Sequence, residues 1–104
     1  MIRSVLTLRA AAGHSTSLEE FFEEHAVLQR AREFAGCRAA ALLRAADGGP
    51  ATHLVIADWD TAADYQRWVA FPWRVALSQQ LAALLDTGSD EPIVGGLYEF
   101  IATR

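Results

Sequence analysis

Residues His53 to Trp59, HLVIADW, carry the clearest strand pattern in the chain, and their flanks restrict the folds open to it. Successive strand side chains point to opposite faces, so His53, Val55, Ala57 and Trp59 share one face and Leu54, Ile56 and Asp58 the other. Upstream, ADGGP reads as a hairpin-type turn to a second strand at CRAAALLRA. There Arg38 and Arg44 mark one face and Cys37, Ala39, Ala41 and Leu43 the other, although alanine makes the propensity weak. Downstream the period changes to that of a helix. Asp60 is expected to cap TAADYQRWVA, in which Tyr65, Trp68 and Val69 lie within one turn of each other. Pro72 suits the first turn of a further helix, PWRVALSQQLAALL, because its missing N–H would be unpaired there. Trp73, Leu77, Leu81 and Leu84 form that helix's apolar stripe.

The ends complete the pattern. Ile2–Arg9 reads as a strand with Ser4, Leu6 and Leu8 opposed to Arg3, Val5 and Thr7. A loop, AAAGHSTS, leads to a helix at LEEFFEEHAVLQRARE, with Ser17 as N-cap and Glu20 completing a capping box. Leu18, Phe21, Phe22, His25 and Leu28 form its inner face, and Gly36 ends the element. DTGSDEP is a loop, and IVGGLYEFIA a closing strand whose glycine pair suits a bulge or close backbone approach. The order is β-α-β-β-α-α-β. It specifies an α+β, ferredoxin-like βαββαβ plan with a split second helix, the helices covering one face of a four-stranded antiparallel sheet. The 104 residues make a single domain, 1–104. Leu6, Leu8, Leu42, Leu54, Ile56 and Leu97 are too many apolar strand residues for one covered face. A homodimer through the sheet face is therefore expected, since a two-fold interface is self-complementary.

Composition narrows the function. The net charge is −4, and the nine basic residues, all arginine, form no run or stripe, so no nucleic-acid partner is expected. No apolar stretch is long enough to span a membrane, and the apolar run at the start reads as a strand rather than a signal peptide. The single cysteine, Cys37, fits a cytoplasmic location and a small buried role. His14, His25 and His53 have no metal-ligand spacing, so no metal is expected. No GxGxxG or P-loop encodes a nucleotide cofactor.

The segment VIADWDTAADYQRWVAFPWR holds all three tryptophans and one of the two tyrosines. Trp59 and Tyr65 are either structural or the walls of an aromatic pocket; a buried Tyr65 hydroxyl would need a partner. Trp68, Trp73 and Phe22 suit core or cavity wall. His53, on the face of Val55 and Trp59, and His25, on the inner side of the first helix, are candidates for proton transfer. Arg74 and Ser78, four apart on one helix face, could orient a polar substrate group.

With these elements in place, HLVIADWDTAADYQRWVAFPWRVAL, preceded by FAGCRAAALLR, resembles the antibiotic biosynthesis monooxygenase family, a dimeric α+β barrel. In that family a strand ends in Trp, an acidic helix start follows, an aromatic comes six residues after the Trp, and a second helix follows a short break. EPIVGGLYEF resembles the family's closing strand, and the match runs from about Ile2 to Ile101 by element order. The resemblance implies a small cofactor-independent monooxygenase-like enzyme that turns an anthrone or phenolic polyketide-type substrate into a quinone, with molecular oxygen as co-substrate. A diffusible reduced flavin stays open. In such oxygenases an Asn and a Trp on the strand and a Tyr on the next helix face a cavity between helices and sheet. The Trp falls on Trp59, the Tyr on Tyr65, and the Asn on Val55, which cannot hydrogen-bond. The haem-degrading branch fits less well: its ruffling Trp would fall on Trp68, but its haem ligand on Ser78, and serine is a poor iron ligand. The resemblance leaves two alternatives: a non-redox cyclase or isomerase on a similar substrate, and a non-catalytic small-molecule-binding or partner subunit.

Overall fold

In the computed structural model, which describes residues 1–86 and 93–104, the elements are β1 (Ile2–Leu8), α1 (Ser15–Glu24), α2 (Val27–Glu33), β2 (Cys37–Arg44), β3 (His53–Trp59), α3 (Ala62–Ala70), α4 (Pro72–Leu81) and β4 (Ile93–Glu99). A short 3-10 turn, Ala82–Leu84, follows α4. The strands form one antiparallel sheet in the order β2-β3-β1-β4. This is the expected ferredoxin-like plan. Except for Asp86, the loop at DTGSDEP lies outside the described residues.

The sheet register explains which face the helices cover. Pairing of Ser4 with Ala57 and of Leu6 with Val55 aligns the inner residues of β1 with those of β3. Helices meet this face in two apolar groups. Leu8, Leu18, Phe22, Val27, Leu77 and Leu81 form the first, under α1 and α4. Ala31, Cys37, Ala57, Trp59 and Trp68 form the second, under α2 and α3. Removing these side chains from water is the main force holding the helices on the sheet.

Several local details differ from the sequence reading. The first helix is two helices. It stops at Glu24, Ala26 takes a left-handed conformation at φ 50°, and α2 restarts at Val27. A left-handed residue cannot continue an α-helix, and the bend lets Val27 and Ala31 reach the sheet separately from Leu18 and Phe22. The N-terminus lies at Ser15, so Ser17 is already inside the first turn and forms no capping box with Glu20. On α3 the cap is Thr61, not Asp60. Thr61 and Asp64 satisfy each other's backbone N–H groups reciprocally, two donors where Asp60 alone would serve one. Asp60 instead receives Arg38 Nε at 2.7 Å.

A register shift between Cys37 and Ala39 moves β2 by one residue. After it, Ala40 and Leu42 rather than Ala39, Ala41 and Leu43 belong to the helix side, because a bulge reverses the alternation beyond it. The uncovered face is consequently built differently from the expectation. Leu6, Leu8 and Leu42 pack under the helices, and Leu97 stands opposite Ser4, on the helix side. Of the six residues, Leu54 and Ile56 remain on the outer face, joined there by Val5, Ala41, Leu43 and Tyr98 through the register. Leu43 is 44% and Tyr98 60% exposed.

Candidate functional site

A cavity of about 50 Å³ lies between the sheet and helices α2, α3 and α4. Its floor is Ser4 and Leu6 of β1, Ala40 of β2, and Val55, Ala57 and Trp59 of β3; α2 closes it with Val27, Leu28 and Ala31. Tyr65, Trp68 and Arg74 complete the wall. Five sequence candidates therefore meet here: Val55, Trp59, Tyr65, Trp68 and Arg74.

Strand alternation turns Trp59 inward, and it is fully buried. Its Nε1 donates to Ser4 Oγ at 3.1 Å, and that hydroxyl donates to the Ala57 carbonyl at 3.4 Å. The indole's polar edge is thus satisfied inside the protein, and its ring is held in place as wall. Tyr65 meets Trp59 edge-on, with ring centroids 5.8 Å apart. Phe34, which the sequence reading did not single out, braces Trp68 at 5.3 Å and Trp59 at 6.4 Å, both edge-on. Such edge contacts are the favoured geometry for aromatic pairs.

Two polar groups of this cavity have no partner among the described residues. Among the described residues, the Tyr65 hydroxyl and the Arg74 guanidinium make no hydrogen bond or ion pair. No buried side-chain nitrogen or oxygen among those residues lacks a partner, so both groups end in accessible space. Tyr65 and Arg74 thus add a hydroxyl donor and a cation to a lining whose other polar side chain is Ser4, already engaged by Trp59. Val55 lines it where the resemblance calls for an Asn.

The other candidates lie elsewhere. His53 stands at the opposite end of β3 from Trp59, roughly 20 Å away at the usual strand rise. It is 1% exposed. Its Nε2 donates to Glu19 Oε2 at 2.8 Å, and its Nδ1 lies 2.9 Å from Thr52 Oγ1. Glu19 also receives the Arg44 guanidinium at both carboxylate oxygens. The Arg44 contact first, then His53, lowers the Glu19 carboxyl from its ordinary 4.5 to about 2. This network ties α1 to the β2–β3 hairpin and was not foreseen, because its members are far apart in sequence. His25 caps the end of α1 and lies 4.4 Å from Phe21, centroid to centroid. Phe22 is buried in the first apolar group. Trp73 sits beneath Arg30, 4.6 Å from its guanidinium carbon. Ser78 Oγ donates to the Arg74 carbonyl at 3.0 Å, so it acts on the helix backbone rather than at the cavity. Burial raises the Cys37 thiol above its ordinary pKa, away from the reactive thiolate.

The geometry can be set beside known proteins. The family model described as antibiotic biosynthesis monooxygenase matches residues 1–72. No curated protein matches the chain. Among solved structures, one from Deinococcus radiodurans, described as a candidate antibiotic biosynthesis monooxygenase, superposes with a TM-score of 0.79 at 22% identity, covering 100% of this chain and 96% of that one. SnoaB, a cofactor-independent oxygenase from Streptomyces nogalater solved as its N63A mutant, gives 0.75 at 20% identity, covering 98% and 94%. A Pseudomonas aeruginosa protein, PA3566, gives 0.75 at 22%, covering 97% and 94%. At these identities the structures support the fold, while the family model spans well over half of the sequence. The chain belongs to the antibiotic biosynthesis monooxygenase family.

Proposed function

We propose that the chain is a cofactor-independent monooxygenase acting on an electron-rich aromatic substrate of the anthrone or phenolic polyketide type, with Tyr65 and Arg74 as the polar groups of the reaction. The observation that carries this reading is the presence of these two groups, without a protein partner among the described residues, in the wall of a cavity otherwise lined by Trp59, Trp68, aliphatic side chains and Ser4. Loss of a proton from an anthrone gives an enolate, and Arg74 stabilises the negative oxygen as it forms. Tyr65 donates a hydrogen bond to the same oxygen or to the oxygen species that follows. The tryptophans hold the ring flat and exclude water.

The electrons then come from the substrate. The ring CH2 carbon gives up four electrons and both hydrogens to O2. One oxygen atom becomes the new carbonyl oxygen, and the other leaves as water with the two hydrogens. Neither His25 nor His53 lines this cavity, so the proton passes to solvent rather than to a histidine. We place this activity in a homodimer joined through the outer sheet face, where Val5, Leu43, Leu54, Ile56 and Tyr98 supply apolar contact. Cys37, a lone buried thiol, accords with a cytoplasmic setting. Among the described residues, no helix is long and apolar enough to cross a membrane.

Oxygen uptake with an anthrone or a dihydroxynaphthalene tests the reading. Uptake that falls with Tyr65→Phe and Trp59→Phe supports it; tight binding without uptake for every such substrate overturns it. One observation favours a second reading. Val55 gives the cavity no hydrogen-bonding side chain on the strand, which suits a non-redox cyclisation or isomerisation. A product that has gained no oxygen would identify that chemistry.

A further inference from the structure

A second hollow lies outside the aromatic cavity, in the angle between α2 and the edge strand β2. It is a shallow depression of about 380 Å³, open to solvent, lined by Leu28, Gln29, Arg32, Ala39 and Ala40, of which Gln29, Arg32 and Ala39 are exposed. Leu28 and Ala40 also line the inner cavity, so the two spaces meet across this one pair of side chains. Ligand pockets usually measure roughly 300–1,000 Å³. The inner cavity, at about 50 Å³, is too small to enclose an aromatic substrate by itself. For a ring to enter it from the outer hollow, Leu28 would have to yield.

The wall that has to yield is short and set apart. α2 has seven residues and is bounded by two left-handed positions, Ala26 at φ 50° and Gly36 at φ 90°. No carboxylate lines either hollow. Arg74 borders the inner one and Arg32 the outer. Among the described residues neither guanidinium makes an ion pair or side-chain hydrogen bond, whereas Arg3, Arg9, Arg38, Arg44 and Arg67 pair with Asp58, Asp86, Asp60, Glu19 and Asp64; Arg32 is exposed. Gln29 adds an amide donor beside Arg32.

We propose that the groove between α2 and β2 is the way into the cavity and a docking site for an acidic side arm, so that the preferred substrate is an aromatic carboxylic acid. Its ring passes between Leu28 and Ala40 to reach Trp59 and Tyr65, and its carboxylate stays outside on Arg32 and Gln29. Arg32 selects the substrate and takes no part in the oxidation. The inference rests on the proposed reading that the inner cavity receives an aromatic ring.

The test uses a matched pair, a hydroxynaphthyl propanoic acid and its methyl ester, titrated against the protein's tryptophan fluorescence at neutral pH. The wild type is expected to bind the acid roughly tenfold more tightly than the ester, as a charge-assisted contact would give. Arg32→Gln should remove that preference by weakening the acid alone, and Arg32→Lys should retain part of it. Leu28→Trp, filling the passage, should weaken both compounds. Equal affinity for acid and ester in the wild type overturns the proposal while leaving the ring-binding cavity standing. So does an equal loss for both compounds in Arg32→Gln. If neither compound binds the wild type, the cavity reading itself fails, and the inference falls with it. Unchanged thermal melting of the variants shows that each is folded.

Discussion

Trp59 and Ser4 are joined across two neighbouring strands, the indole N–H of one donating at 3.1 Å to the hydroxyl of the other. Both are buried, and the bond fixes the ring that forms the cavity's inner wall. Replacing Ser4 with Ala leaves the buried indole N–H without its protein partner. An unsatisfied buried donor costs about 1–3 kcal/mol. Ser4→Ala is therefore expected to lower the unfolding free energy by that amount, read as a lower urea midpoint with the slope of the transition unchanged. An unchanged midpoint would mean that the indole finds another acceptor.

Gly36 makes a sharper structural demand. Its φ is 90°, and a Cβ there would stand 2.3–2.6 Å from atoms of the Asp64 side chain. That carboxylate caps α3 and also pairs with Arg67. Gly36→Ala is expected to cost about 2 kcal/mol or more, combining backbone strain with a displaced cap. Gly13 and Gly48 also have positive φ, but nothing lies within 4 Å of a Cβ at either. Alanine at those positions should cost only about 1–2 kcal/mol. Denaturant melts of the three variants separate the two contributions.

Much of this was readable from the sequence, and the failures have definite causes. Strand alternation placed Trp59 and Val55 on one face with His53, and that is where they are. Alternation does not say how far apart two residues on one face lie relative to a cavity, so it grouped His53 with Trp59 although they stand at opposite ends of β3. The bulge at Arg38 and the left-handed Ala26 carry no glycine or proline signal, and each reverses or interrupts a pattern that would otherwise extend through it. Thr61 and Asp64 were legible as a capping box, yet the preceding Asp60 masked them. The contribution of α2 to the cavity depended on that unseen bend, which is why Leu28 was read only as a core face and Ala31 was not singled out.

Glu19 links stability to pH. Its carboxyl is lowered in the folded protein to about 2 from an ordinary 4.5, by Arg44 and then by His53. A depressed folded-state pKa contributes stability that is fully present above the unfolded value. It is lost as the pH falls from about 4.5 through about 2. Glu19→Gln should therefore melt below the wild type at neutral pH, with the gap closing as the pH approaches 2. Thermal melts of both proteins across that range check the sign. A gap independent of pH would show that the ion pairs contribute nothing beyond side-chain contact.

Arg74 is expected to matter to rate more than to folding, because it borders the cavity and makes no ion pair among the described residues. Removing one electrostatic stabiliser of a developing oxyanion typically costs about 100- to 1,000-fold in kcat. Arg74→Leu should lose activity on that scale and shift the rising limb of the pH–rate profile to higher pH, since the enolate forms less readily. Arg74→Lys should recover part of both. Steady-state kinetics over pH distinguish this from a binding defect, which would raise KM alone.

The central claim is that the aromatic cavity carries out a monooxygenation drawing its electrons from the substrate. Its most direct test is incubation of the purified protein with an anthrone under oxygen-18 gas, with no added metal, flavin or nicotinamide, followed by mass spectrometry of the product. The expected product is the quinone carrying one labelled oxygen atom, formed faster than in buffer and slowed by Tyr65→Phe. An unlabelled product, or labelled quinone formed no faster than without the protein, would contradict the account.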